Sequence, residues 1–271
     1  MIKQAIIPLA GLGTRLLPLT SVFAKELLPI NGKPGLEYIL DECIEAGIKE
    51  VIFIISKKKM MIKKYFYNDK FYKDIIKKKG DPKIIKEYKK ILKYKKMIKF
   101  VFQDKPLGTG DAVYKTKKFI TDKYFLMLLP DDLIIKKNCS KSMIAVHSKF
   151  KASVMASMTV NKNDVSRWGI YNIRKKIDKN NFIINNVVEK PSIKTSPSNN
   201  AVIGRYILPK SIFSKLKSLK PGKSGEFHIT DAIQALIEDD NLFIGHNFSG
   251  KYLDCGTMKG YIKSTLEISK Q

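Results

Sequence analysis

Gly11-Leu12-Gly13-Thr14-Arg15, with Lys25 ten residues beyond Arg15, is a set of residue types suited to holding phosphate. Glycines let the backbone approach an anion closely, and successive N–H groups in such a turn form a concave nest for its oxygens. Arg15 adds a planar fork of permanent charge, and Lys25 adds a point charge. The chemistry implied is the grip on a triphosphate. Asp131 and Asp132 follow the apolar run 124–129, a place where open α/β sheets keep their ligands. A Gly-x-Gly after a strand is a weak signal alone. The dinucleotide fingerprint wants a third glycine where Leu16 stands, and the Gly-Lys-Ser/Thr of a Walker loop is absent. An ordinary strand-to-helix turn fits those residues too.

Such residues need a scaffold. Residues 5–10 form an apolar run of the length taken by buried parallel strands. Asn31-Gly32-Lys33-Pro34 reads as a tight turn. Leu36, Ile39, Leu40, Cys43 and Ile44 recur at helical spacing up to Gly47, and 51–55 is a second buried strand. Strand, turn, helix and strand open a doubly wound nucleotide-binding sheet. Further strands are expected at 99–103, 124–129, 154–160 and 201–208, with a sheet excursion over 166–191. Helices are expected after Gly110, over 232–237 and from about 258. No internal repeat or long linker divides the chain.

The formal charge of +26 raises the question of nucleic acid. Of 51 basic residues, only Arg15, Arg167, Arg174 and Arg205 are arginines. Reading bases or gripping phosphates specifically favours arginine's fork, so the lysine excess is read as compositional and the arginines as the informative cations. Residues 57–99 hold 18 lysines against Asp69, Asp74, Asp81 and Glu87. Ile84, Ile85, Tyr88, Ile91 and Leu92 recur there at helical spacing, as in an amphipathic helix with a solvated lysine face. Cys43, Cys139 and Cys255 lack metal-ligand spacing and read as reduced thiols. The N-terminus is no signal peptide, and no apolar run approaches the ~20 residues of a membrane span. A cytoplasmic protein without nucleic-acid or membrane partners is expected.

The motifs say more in their order. G-L-G-T-R-L-L-P from Gly11, K-E-L-L-P from Lys25, Gln103, the turn Leu107-Gly108-Thr109-Gly110-Asp111 and Pro130-Asp131-Asp132 come first. Val188-Glu189-Lys190-Pro191, Gly204-Arg205-Tyr206 and Leu253-Asp254-Cys255-Gly256 follow. From residue 3 to about 265 this order resembles the sugar-1-phosphate nucleotidylyltransferases, most closely the bacterial members that use UTP. The resemblance implies an α/β fold of the nucleotide-diphospho-sugar transferase type. That is a Rossmann-like single domain, residues 1–271, with a mixed, mostly parallel central sheet flanked by helices. It implies transfer of the uridylyl group of UTP to α-D-glucose 1-phosphate, giving UDP-glucose and pyrophosphate. It also implies Mg²⁺ as cofactor and a homo-oligomer, dimer or tetramer.

By the same resemblance, Ala10, Gly11, Gly13 and Thr14 bind the nucleotide and Arg15 stabilises the leaving pyrophosphate. Lys25 neutralises the α-phosphate, and Asp131 binds Mg²⁺ with Asp254 as second carboxylate. Asp254 serves equally well as a cap for the last helix. Gln103 and Gly108 match uracil-reading positions, where a side-chain amide can pair with both a donor and an acceptor on the base edge. Glu189 and Lys190 match the pair holding the glucose hydroxyls and the sugar's phosphate, beside Gly169 and Gly204. Asp132 should point elsewhere on an extended backbone. Thr230 and Asp231 read as a helix cap, and His228, where the family has glutamine, as structural.

Both reactants are anions, so positioning and charge neutralisation carry the catalysis and no side-chain nucleophile is required. The turn Gly108-Thr109-Gly110-Asp111 departs from the family's G-L-G-H, Trp168 replaces a tyrosine, and the chain runs a short way past its last helix. The rival readings are a nucleotidylyltransferase using dTTP or another sugar phosphate, a non-catalytic regulatory homologue, and a nucleic-acid binder. The regulatory homologue should have lost the loop arginine, and Arg15 is present.

Overall fold

The computed structural model describes residues 1–222 and 225–270. The chain opens with β1 (Gln4–Pro8), the hairpin β2 (Pro29–Ile30) and β3 (Lys33–Pro34), α1 (Gly35–Glu45) and β4 (Glu50–Ile55). Next come α2 (Met60–Tyr67), α3 (Asp69–Lys79), α4 (Pro82–Met97), β5 (Ile98–Phe102), α5 (Thr109–Tyr114), β6 (Tyr124–Leu128) and β7 (Asp132–Ile135). The second half holds α6 (Cys139–Phe150), β8 (Ser153–Thr159), β9 (Gly169–Lys176), β10 (Asn181–Glu189), β11 (Asn200–Pro209) and α7 (Ile212–Ser218). It closes with α8 (Ile229–Glu238), β12 (Phe243–Asn247), β13 (Lys251–Asp254) and α9 (Met258–Ser269).

Nine strands make one sheet in the order β5-β4-β1-β6-β11-β8-β12-β10-β9. β5, β4, β1 and β6 run parallel, which requires the helical crossovers that α1, α2–α4 and α5 supply. β11 runs against β6 and β8, β12 runs parallel to β8, and the β9–β10 hairpin closes the far side antiparallel. Only β11 and β10 are reversed, so seven of the nine strands point one way and the sheet is mixed, with its β5-β4-β1-β6 half wholly parallel. Successive side chains leave opposite faces. Ile7, Phe53, Ile55, Leu126 and Leu128 pack on one side with residues of α1, α2, α4 and α6. Ile6, Ile52, Ile54, Phe125 and Met127 pack on the other with α5, α7 and α8.

Three local features add to the sequence reading. The turn after β1 does not open a helix: three short 3₁₀ turns, Thr14–Leu16, Leu19–Ser21 and Lys25–Leu27, precede the β2–β3 hairpin and α1. The lysine-rich stretch holds three α-helices, and the amphipathic pattern from Ile84 to Leu92 is that of α4, with α2 and α3 preceding it. Gly80 takes a left-handed φ of 60° after α3, and Asp81 caps α4 through Lys83 N with Pro82 in its first turn. Asp132–Ile135 pairs with Lys251–Asp254 in a separate ribbon that sets Asp132 opposite Asp254.

Candidate active site

A cleft of about 580 Å³ opens at the carboxyl ends of β1 and β6. Its walls carry Ala10, Gly11, Gly13, Thr14 and Arg15 from the first loop, Lys25 from the third 3₁₀ turn, and Asp131. The other side is closed by Gln103 and Gly108. The fold thus brings the expected triphosphate, base and carboxylate residues to one place, although they span more than 120 positions of sequence. Gly13 has a φ of 72°, a conformation that favours glycine, and its carbonyl accepts a hydrogen bond from Thr20 Oγ1 at 2.8 Å. A Cβ on Gly11 would meet nothing within 4 Å, so its backbone faces open space.

Lys25 Nζ donates to both carboxylate oxygens of Asp131, and Arg15 Nη2 approaches Asp131 Oδ2 at 3.4 Å. Arg15 keeps 65% of its side-chain surface in solvent, whereas Lys25 keeps 14%. The arginine can therefore swing toward a ligand, and the lysine is already seated. Beneath them lies a pair that sequence reasoning missed. Lys59, from the start of the lysine-rich stretch, donates to Glu26 Oε1 at 2.7 Å and Oε2 at 2.8 Å, and both residues are buried. Burial raises the Glu26 carboxyl and lowers the Lys59 ammonium relative to their ordinary values. This pair pins the K-E-L-L-P turn from below.

Asp132 points away from Asp131, as the extended backbone requires. Its carboxylate accepts from Tyr252 OH at 2.7 Å and Gly204 N at 2.8 Å, and burial raises its pKa. Gly204 lines neither cleft, because β-carbon space there is filled: a Cβ would stand 2.5 Å from Leu129 Cβ. Asp254 is engaged as a turn-former. Its oxygens accept from Gly256 N at 2.8 Å and Thr257 Oγ1 at 3.0 Å, and Thr257 caps α9 through Gly260 N. The same turn abuts Asp131, since Cys255 N donates to Asp131 O at 2.8 Å.

At the base end, Gln103 Nε2 donates to Gly108 O at 3.1 Å and Asp111 Oδ2 at 2.8 Å. The amide is thus half engaged by the protein, which leaves its carbonyl oxygen, an acceptor, for a ligand. This narrows the two-way pairing expected from residue type. Gly108 has a φ of 94°, and a Cβ there would stand 2.5 Å from Phe227 O. Thr109 Oγ1 accepts from Ile229 N at 3.2 Å, so Thr109 caps α8 from across the cleft. The cap expected from Thr230 and Asp231 is not made, because both lie inside the first turn of α8 and His228 holds the N-cap position.

A second cavity of about 650 Å³ adjoins the first, sharing Thr109, Leu129 and His228. Glu189 lines it together with Asn186, Val187 and Tyr206. Gly169 pairs with Glu189 across the β9–β10 hairpin, and a Cβ on Gly169 would meet Glu189 Oε2 at 3.0 Å. Lys190 holds a left-handed φ of 46° and stands 3.7 Å from Glu189 Oε1. His228 lines both cavities, a place that its reading as a lone structural strand histidine did not anticipate.

Arg205 is the largest fully buried side chain, with its charge matched by Glu42 of α1 at 2.9 Å. Among the described residues, no group of three or more His, Cys, Asp and Glu side chains is placed to hold a metal ion. Asp131 lines the cleft as a carboxylate of the kind that holds Mg²⁺ together with substrate phosphates and water, whereas Asp254 does not line it and its oxygens accept from Gly256 N and Thr257 Oγ1. Gly256 leaves room on that side of Asp131, where a Cβ would lie 2.9 Å from Asp131 Oδ2. No described helix is long and apolar enough to cross a membrane.

A mixed α/β sheet with a glycine loop, two cations and a carboxylate at its carboxyl edge defines a nucleotide-handling α/β protein. The family model described as nucleotidyl transferase matches residues 4–271, and the chain belongs to that family. It is 35% identical over 271 residues to the UTP–glucose-1-phosphate uridylyltransferase of Bacillus subtilis, covering 100% of this chain and 92% of the relative. Among solved structures it resembles a UDP-glucose pyrophosphorylase complexed with UDP-glucose, with TM-score 0.87, 33% identity and coverage of 100% and 99%. A UTP-bound enzyme of that kind from Acinetobacter baumannii gives TM-score 0.89 and 30% identity, covering 99% of this chain and 93% of the other.

Proposed function

We propose that this chain is a UTP–glucose-1-phosphate uridylyltransferase, joining UTP and α-D-glucose 1-phosphate to give UDP-glucose and pyrophosphate. The observation that carries the reading is the convergence of Arg15, Lys25 and Asp131 on one cleft that runs into a second, Glu189-lined cavity. A nucleotide with a sugar phosphate beyond it needs two adjoining spaces of this kind. Full-length identity to enzymes of that name supports the same reading.

In this reading the N–H groups of residues 11–14 and the exposed Arg15 fork hold the β- and γ-phosphates, and Arg15 follows the charge onto departing pyrophosphate. Lys25 lies against the α-phosphate as a phosphate oxygen of the sugar attacks it in line. Gln103 offers its free carbonyl oxygen to the N3–H of uracil. Cytosine presents an acceptor at that position and is refused, whereas thymine shares the donor, so selection against dTTP rests elsewhere. Glu189 accepts hydrogen bonds from glucose hydroxyls, Lys190 holds the sugar's phosphate, and the Gly169 backbone lies along the ring. Asp131 would hold Mg²⁺, which offsets phosphate charge when bound.

The chain is further read as one nucleotidylyltransferase domain over residues 1–271, because the nine-stranded sheet draws strands from Gln4 to Asn247. It is also read as a cytoplasmic homo-oligomer. Pyrophosphate release from UTP and glucose 1-phosphate with Mg²⁺, beside dTTP and the Asp131→Ala variant, tests the function. Release with UTP that vanishes in the variant is expected. Faster release with dTTP would move the protein to a sister activity, and none from any pair would overturn the enzyme reading.

A further inference from the structure

Arg205 has five N–H donors and no contact with solvent. Burying a guanidinium costs several kcal/mol unless each donor is met. Nε donates to Glu42 Oε1 and Oε2, both at 3.1 Å, and Nη2 donates to Glu42 Oε2 at 2.9 Å. The remaining bonds go to backbone carbonyls: Nη1 to Leu129 O at 3.1 Å and Gly204 O at 3.0 Å, and Nη2 to Asp132 O at 2.6 Å. Leu129 and Asp132 flank Pro130-Asp131. Glu42 Oε1 also accepts from Ser140 N at 3.1 Å and Ser140 Oγ at 2.5 Å, tying the assembly to the first turn of α6. One guanidinium therefore clamps both ends of the turn that presents Asp131.

A buried ion pair contributes little net stability against apolar residues of the same size. What this one supplies is the path of four residues. Apart from this clamp, Asp131 is held at its carbonyl by Cys255 N at 2.8 Å and, among the described residues, at its carboxylate by Lys25 and Arg15, while Pro130 has no N–H to add a further bond. We infer that Arg205, neutralised by Glu42, is a positioning residue that sets the height of the Asp131 carboxylate in the cleft. This rests on the uridylyltransferase reading for the identity of the ligand, although the clamp itself does not.

Two variants test it. Arg205→Met with Glu42→Met replaces the pair by apolar side chains and leaves no unpaired buried charge. Arg205→Lys keeps the charge against Glu42 and loses the planar fork to the carbonyls. Circular dichroism establishes which of them fold. Calorimetric titration with MgUTP and the Mg²⁺ dependence of pyrophosphate release are then compared with the wild type. Supporting partners of metal-binding groups typically change affinity or activity ~10–100-fold, and that is the expected rise in Kd for MgUTP and fall in kcat. KM for glucose 1-phosphate should stay within about 2-fold, because uniform loss of binding would raise KM instead. A folded variant of either kind with wild-type MgUTP affinity and Mg²⁺ dependence overturns the inference. Wild-type protein that binds MgUTP yet releases no pyrophosphate would overturn the functional reading and leave the clamp testable by calorimetry.

Discussion

Lys25 sets its ammonium against both carboxylate oxygens of Asp131, across 106 residues of sequence. The two must separate, or widen their contact, for a phosphate and a cation to enter between them. Their charges are thus partly matched to each other before any ligand arrives. Lys25→Met should lower kcat ~10²–10³-fold, the usual effect of removing one preorganised stabilising group. Its Tm should stay near that of the wild type, since Asp131 keeps the Arg15 contact and some solvent. A kcat within about 2-fold of wild type would remove Lys25 from the chemistry.

Chelation separates a metal that works with substrate from one that holds the fold. Asp131 and Asp254 are already engaged by Lys25, Arg15, Gly256 and Thr257. EDTA should therefore abolish pyrophosphate release while leaving the unfolding temperature unchanged. A drop in Tm on chelation would mean that a structural metal lies elsewhere in the chain.

Gly108 is required twice over, by a φ of 94° and by the approach of Phe227 O. Gly108→Ala should destabilise the protein by about 1–3 kcal/mol through strain and overpacking. It should also disturb Gln103, whose amide donates to the Gly108 carbonyl. KM for UTP should rise more than KM for glucose 1-phosphate. Equal changes in both constants would argue that this turn does not read the base.

His246 of β12 is buried, with Nδ1 near Asn181 Oδ1 at 2.8 Å and Nε2 near Ser142 Oγ at 3.2 Å. Burial lowers its pKa below the ordinary 6.5, and Asp178 opposes this weakly. In that window the unfolded chain binds the proton more readily than the native one. Stability is therefore complete above about pH 6.5 and declines as pH falls toward the native pKa. Denaturant unfolding at pH 7.5 and 5.5 should show the loss, and His246→Gln should reduce it. An undiminished pH dependence in the variant would place the proton elsewhere.

Apolar runs of strand length and the period-3.6 pattern were legible in the chain, because strands buried on both faces are apolar at successive residues and helices repeat their inner face about every 3.6 residues. They placed β1, α1, β4, β6, β8, β11 and α9 within a few residues. The motif order pointed to Arg15, Lys25, Gln103 and Asp131, which the fold gathers in one cleft. In the lysine-rich stretch the stripe from Ile84 to Leu92 marked α4, whereas α2 and α3 were not read separately, because the breaks lie only in Asn68 and in Gly80-Asp81.

The supports of the site were not legible. Arg205 and Glu42 stand 163 residues apart, and Glu26 and Lys59 stand 33 apart in a region where lysines are common. Nothing in residue type marks which lysine is buried or which arginine meets backbone carbonyls. Spacing along the chain determines the elements, because their hydrogen bonds and side-chain periods are local. Only tertiary packing decides which charge is shut away from water, and so which residues hold the Asp131 turn and the Lys25 turn in place. The free carbonyl of Gln103 was decided in the same way, by Asp111 and Gly108 arriving on its other side.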